Sequence, residues 1–165
     1  MASITFQGNP VQTVGELPEV GSQAPAFALV AGDLSAVTSD SLAGRRLVIS
    51  IYPSVDTGVC AAALREFNKR AADLENTTVV SVSKDLPFAA ARFCAAEGID
   101  NVVTVSAFRS SFGEDYGVTM TDGPLAGLLS RAVVVTDENG KVVYTQQVSE
   151  VTEEPDYDAA LAALA

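Results

Sequence analysis

An α/β fold with a mixed central sheet is the architecture that this sequence predicts. Three observations point to it. Between Leu47 and Ser106, short strand-like runs alternate with segments of helical periodicity. From Leu128 onward, two strand-like runs flank Asn139-Gly140, a tight-turn pair. Near the start, extended β-prone text lies on either side of Gly8-Asn9-Pro10.

The elements follow in chain order. "TFQGNPVQTV" predicts an N-terminal hairpin, and "ELPEVGSQAPAF" a connector punctuated by Pro and Gly. Phe27 to Val30 reads as a strand, Gly32-Asp33 as a turn, and Ser39 to Leu42 as a short helical segment. The largely apolar run Leu47 to Tyr52 has the character of a central strand buried on both faces. From Gly58 to Leu74 the period changes. Val59, Ala62, Ala63, Phe67, Ala71 and Leu74 recur at three-and-four spacing, with Arg65, Glu66, Lys69, Arg70 and Asp73 opposite. That pattern predicts an amphipathic helix. Thr77 to Ser83 is a second strand. "LPFAAARFCAAEGI" is a helix with Pro87 near its start and Gly98 at its stop. "NVVTVS" is a third strand, and "FRSSFGEDYGV" a short helix or loop. The Asn139-Gly140 hairpin and a C-terminal helix capped by Asp156 complete the chain.

Strand–helix alternation requires crossover connections and hence a parallel core. The closing hairpin adds antiparallel strands. The expected fold is therefore thioredoxin-like: a mixed central sheet flanked by helices, with an extra N-terminal β-hairpin, in one domain over residues 1–165.

Composition narrows the function. Apolar residues make up 48% of the 165, enough for a real core. No run approaches the roughly 18 apolar residues that span a bilayer, and "MASITFQGNP" lacks the basic-then-apolar order of a secretory signal. No membrane association is expected, and a cytoplasmic protein is the simplest reading. A net charge of −11 would repel a phosphate backbone, so no nucleic-acid partner is expected. There is no histidine. This removes Ser-His-Asp and Cys-His triads and imidazole metal ligands. With only two cysteines, Cys60 and Cys94, neither a disulfide scaffold nor a zinc site is indicated. No metal and no cofactor is expected. The two thiols are either buried and inert or a redox pair.

The text before Cys60 favours a working sulfur there. Thr57 is a good helix-capping type, which puts Cys60 third in the helix, just past the end of a central strand. Ligand sites of α/β sheets gather at that edge. First-turn amides are unsatisfied and carry partial positive charge. Cysteines so placed can titrate below the free value of about 8.5 and act as nucleophiles. A core cysteine in an apolar turn is the alternative, and the polar residues ahead of Cys60 count against it.

Pro53, Thr57 and Cys60 spell P-x-x-x-T-x-x-C, which resembles the active-site signature of the peroxiredoxins. "FQGNP", "YPSVDTGVCAAALREFN", "SKDLPFAAARFCAAEG", "NVVTVSAFR", "DGPLAGLLSRAVVV" and "EEPDYDAALAAL" extend the likeness over nearly the whole chain. They resemble one subgroup, the bacterial thiol peroxidases. Gly58 stands where many members carry proline, though glycine also occurs there.

The resemblance implies a thiol-dependent peroxidase that reduces hydroperoxides in antioxidant defence. It implies that Cys60 is the peroxidatic nucleophile and Cys94 the resolving thiol of the same chain. Thr57 would hydrogen-bond the sulfur and the peroxide, Pro53 would shield the thiolate from water, and Arg131 would place a guanidinium beside the sulfur. Without the resemblance, Arg131 reads first as a strand-end arginine paired with an acidic residue. Thioredoxin or a similar dithiol is the implied reductant, and a homodimer the implied assembly, with Phe112 and Tyr116 expected on its surface. Tyr52, Val55, Phe93, Met120, Pro124, Leu125 and Leu128 are expected at the pocket rim.

A disulfide needs Cα atoms within roughly 7 Å. Two helices flanking a sheet are usually further apart, so unwinding around Cys60 or Cys94 is expected. A redox switch without turnover is the competing reading. A disulfide oxidoreductase is disfavoured because Ala61-Ala62-Ala63 follows Cys60 where that chemistry uses CxxC.

Overall fold

The computed structural model describes residues 1–164. The N-terminal hairpin pairs β1 (Ser3–Phe6) with β2 (Asn9–Gln12), Phe6 opposite Asn9. Its turn is Gln7-Gly8, both at positive φ (52° and 80°). Such a two-residue turn matches the right-handed twist of the strands it joins. The sequence reading centred this turn on Gly8-Asn9-Pro10, but Asn9 and Pro10 belong to β2.

The main sheet has seven strands: β3 (Ala28–Ala31), β4 (Ala36–Thr38), β5 (Arg46–Ile51), β6 (Thr77–Ser83), β7 (Val103–Ser106), β8 (Ala132–Thr136) and β9 (Val142–Gln147). Their spatial order is β4-β3-β7-β6-β5-β8-β9. β5, β6 and β7 run parallel, and every other pairing is antiparallel. This is the mixed thioredoxin-like sheet expected. β4 was not expected. It is three residues long, too short for a periodic signal, and a turn with Leu34 at φ 71° folds it back on β3.

Among the described residues, four helices complete the fold: α1 (Gly58–Ala71), α2 (Pro87–Glu97), α3 (Phe112–Asp115) and α4 (Tyr157–Ala162). Gly98 ends α2 in the left-handed conformation, and the Asp156 carboxylate accepts the Ala159 amide of α4. Residues 40–42 form one 3₁₀ turn.

Successive strand residues serve opposite faces. Leu47, Ile49, Ile51, Val80, Val82, Ala132 and Val134 form one face, with Phe27, Phe112, Tyr116 and Leu129 packed on it. Val48, Tyr52, Val79, Val133 and Val135 form the other, under Cys60, Leu64 and Phe67 of α1 and Ala160 of α4. Two expectations are corrected here. Phe112 and Tyr116 are not surface residues. Their rings stack with centroids 4.3 Å apart inside the first core, where each carries large apolar area. The buried stripe of α1 is also rotated from the expected one. Cys60, Ala61, Ala63, Leu64 and Phe67 face inward, while Val59 and Ala62 are half-buried. The sheet beneath, not the periodicity alone, selects which of two overlapping stripes is covered.

Candidate active site

β5 carries the chain to the C-terminal edge of the parallel strands and ends at Ile51. Tyr52 and Pro53 follow, both buried, and the loop to Thr57 turns the chain into α1. Cys60 is the third residue of α1 and has no solvent exposure. Arg131 immediately precedes β8, which pairs antiparallel with β5, so the sheet brings positions 71 apart in sequence together. Its Nη2 donates to the Cys60 sulfur at 3.1 Å, and its Nε to the Val151 carbonyl at 2.8 Å. Its Nη1 is buried with no acceptor among the described residues. Burial without a hydrogen bond costs a donor on the order of 1–3 kcal/mol. No carboxylate pairs with this arginine, so the strand-end ion-pair reading does not hold among the described residues.

Thr57 occupies the N-cap position with extended backbone, but its side chain caps no amide. The hydroxyl is exposed and donates to the Ser54 carbonyl at 3.1 Å.

Cys94 lies on α2, half-buried against the same core as Cys60. Its sulfur donates to Thr104 Oγ1 of β7 at 3.3 Å. Both thiols are free. One is anchored to β7 and the other to the arginine that opens β8, with β6 and β5 between.

Several contributors carried no recognisable sequence signal. The Asp85 carboxylate accepts from Ser54 Oγ (2.7 Å), the Val55 amide (2.8 Å) and Ser83 Oγ (2.8 Å). Acidic residues ahead of a helix usually read as caps, and nothing in "SKDLPF" reveals that this one reaches the loop before Cys60. Val151 contributes a main-chain carbonyl, which no side-chain motif encodes. Its side chain packs with Ile4, Val11 and Met120 beneath the N-terminal hairpin.

The expected apolar rim is split. Tyr52, Val55 and Phe93 belong to the core around Cys60. Met120, Leu125 and Leu128 pack on the hairpin cluster instead, and Pro124 is exposed. The split follows from the hairpin, whose apolar face needs covering. Tyr52 sits beneath the two helices with its hydroxyl buried and unpartnered. Burial first, then the Asp85 carboxylate and the two cysteine sulfurs, raises its phenol well above the ordinary range. A cavity of about 540 Å³ lies on the opposite sheet face, lined by Phe27, Leu47, Ile49 and Tyr116. It contains neither cysteine.

The site is thus a cysteine sulfur in the first turn of a helix, out of water, with a permanent cation beside it. The class that such a frame and site define is the thiol-dependent redox proteins of thioredoxin-like fold. The family model described as Redoxin matches residues 19–161. The chain is 62% identical to the thiol peroxidase of Corynebacterium glutamicum and 59% identical to that of Mycobacterium tuberculosis H37Rv, each over 99% of both chains. The crystal structure of a peroxiredoxin-like protein from Aquifex aeolicus superposes with a TM-score of 0.94 at 41% identity, covering 99% of this chain and 96% of that one. A thiol peroxidase from Chromobacterium violaceum shares the fold, with a TM-score of 0.90 at 24% identity over 98% and 94% of the two chains. The chain therefore belongs to the Redoxin family and, within it, to the thiol peroxidases.

Proposed function

We propose that this protein is a thiol-dependent peroxidase in which Cys60 reduces hydroperoxides and Cys94 resolves the product. The observation that carries this reading is the Arg131–Cys60 pair, in a guanidinium whose Nη1 has no partner among the described residues. The thiolate attacks one peroxide oxygen, the O–O bond breaks, and the alkoxide leaves with a proton from solvent as alcohol. Cys60 becomes a sulfenic acid. The free Nη1 of Arg131 and the first-turn amides are the groups to bind the oxygens as charge develops. Thr57, at the loop mouth, offers hydroxyl lone pairs to the peroxide O–H, and buried Pro53 limits water at the sulfur.

In the second step the Cys94 sulfur attacks Cys60, the S–O bond breaks, and water leaves with the thiol proton. The product is an internal disulfide. Its formation requires local unwinding, since the two sulfurs start on different helices, each held by its own partner. Thioredoxin or a comparable dithiol then returns both thiols, which suits a reducing, cytoplasmic setting. No described helix is long and apolar enough to cross a membrane. A homodimer is proposed through the apolar side chains that remain exposed near the site, Leu86, Phe88 and Phe108, in place of the buried Phe112 and Tyr116.

Intact mass after one equivalent of peroxide tests the assignment. Wild type is expected to lose two hydrogens, and Cys94→Ser to gain one oxygen. Full peroxidase activity in Cys60→Ser, or no oxygen adduct in Cys94→Ser, overturns it. Sustained turnover of cumene hydroperoxide with a thioredoxin system separates an enzyme from a switch that oxidises once.

A further inference from the structure

We propose that Asp85 is a positioning residue for the resolving step, joining the loop that carries Cys60 to the root of the helix that carries Cys94. This rests on the assignment of Cys60 and Cys94 above.

Asp85 meets four segments. Its carboxylate accepts from Ser54 Oγ and the Val55 amide in the loop before α1, and from Ser83 Oγ at the end of β6. Its own amide donates to Ser83 Oγ at 3.2 Å. Its carbonyl accepts from Ser106 Oγ at the end of β7. Two residues later Pro87 opens α2. Hydrogen bonds to a charged acceptor are roughly twice as strong as neutral ones. Asp85 is only half-buried, and no cation pairs with it among the described residues. Its bonds tie the loop ahead of Cys60 and the ends of β6 and β7 to the residue from which α2 grows.

The consequence concerns distance. Val55 and Cys60 are five residues apart. If the first turn of α1 opens while Val55 stays on Asp85, Cys60 moves on a tether of at most about 17 Å. Cys94 lies seven residues beyond Pro87, roughly 10 Å along α2 from the same anchor. Both sulfurs thus search a small volume centred on one carboxylate. Without the anchor the loop lengthens, and the effective concentration of one sulfur at the other falls. Arg131 is held separately, by Val151, so the oxidation step depends on this anchor less directly, through Thr57 and its bond to the Ser54 carbonyl.

The test follows both steps by rapid acid quench and intact mass in wild type and Asp85→Ala. The appearance of the oxygen adduct reports oxidation, and the loss of two hydrogens reports closure. In Asp85→Ala closure is expected to slow about tenfold, the order expected when reacting groups lose alignment. Oxidation should slow by less than closure does, so that the closure-to-oxidation ratio falls, and excess peroxide should convert more Cys60 to sulfinic acid. Ser54→Ala and Ser83→Ala, each removing one donor, should shift the same ratio in the same direction by less. These two variants carry the test if Asp85→Ala does not fold. An unchanged closure-to-oxidation ratio in Asp85→Ala, or in both serine variants where these stand in for it, overturns the proposal. Absence of any oxygen adduct in Cys94→Ser would instead overturn the assignment beneath it.

Discussion

Arg131 donates from Nη2 to the sulfur of Cys60 at 3.1 Å, and neither residue is more than 3% exposed. A guanidinium holds its Val151 anchor and the sulfur at once because its donors are fixed in a planar fork. A lysine has the charge but not the fork. Arg131→Lys is therefore expected to slow oxidation of Cys60 by roughly 10²–10³, the usual cost of losing an oriented donor to developing charge. Peroxide-dependent loss of free thiol, followed by quench, measures it.

Tyr52 offers the opposite case. Its hydroxyl is buried with no hydrogen bond of good geometry among the described residues, and the Ser83 hydroxyl near it is already bonded to Asp85, so removing it leaves nothing else unsatisfied. Tyr52→Phe is expected to raise stability by about 1 kcal/mol, the order of a relieved polar burial. A urea midpoint shifted downward would show that the hydroxyl is bonded in solution.

Glu150 ties the N-terminal hairpin to the main body. Its carboxylate accepts from the Thr152 and Gly8 amides and from both threonine hydroxyls nearby, Thr152 and Thr5, which brings it down to about 2. A depressed carboxyl contributes stability above its unfolded value of about 4.3. That contribution is lost as pH falls through the folded value. Hydrogen exchange of the Gln7 and Gly8 amides is expected to gain an excess over its intrinsic rate between about pH 4 and pH 2. In Glu150→Gln the excess should already be present at neutral pH. Equal protection in both proteins at pH 7 would refute the tie.

Gly117 lies at φ 68°, and a Cβ there would meet the Glu16 carbonyl oxygen at 2.2 Å, a backbone atom that cannot step aside. Gly117→Ala combines left-handed strain with overpacking, each of order 1–3 kcal/mol. A fall in the thermal midpoint is expected, with the Cys60–Cys94 disulfide still forming in whatever protein remains folded.

Much of the frame was legible along the chain. The strand of 77–83, the helix begun by Pro87 and ended by Gly98, the hairpin at Asn139-Gly140 and the Asp156 cap all stand as read. Each depends on local chemistry: a fixed φ, a left-handed glycine, a short carboxylate near free amides. The three-residue β4 and the rotated stripe of α1 were not legible, because pairing and burial by distant segments decided them.

By itself the sequence determined the alternation that makes a mixed sheet, the placement of Cys60 in a helical first turn, and the family to which those spellings belong. Local spacing did not reveal who stands next to that sulfur; the resemblance alone named Arg131, and the tertiary structure supplied the contact. It drew Arg131 across from β8, gave it the Val151 carbonyl, turned Thr57 toward Ser54, and sent Asp85 to the loop ahead of α1. Periodicity and capping act over a few residues, so sequence carries them directly. Hydrogen bonds between segments 20 to 71 positions apart arise only when the sheet order fixes which strand ends meet.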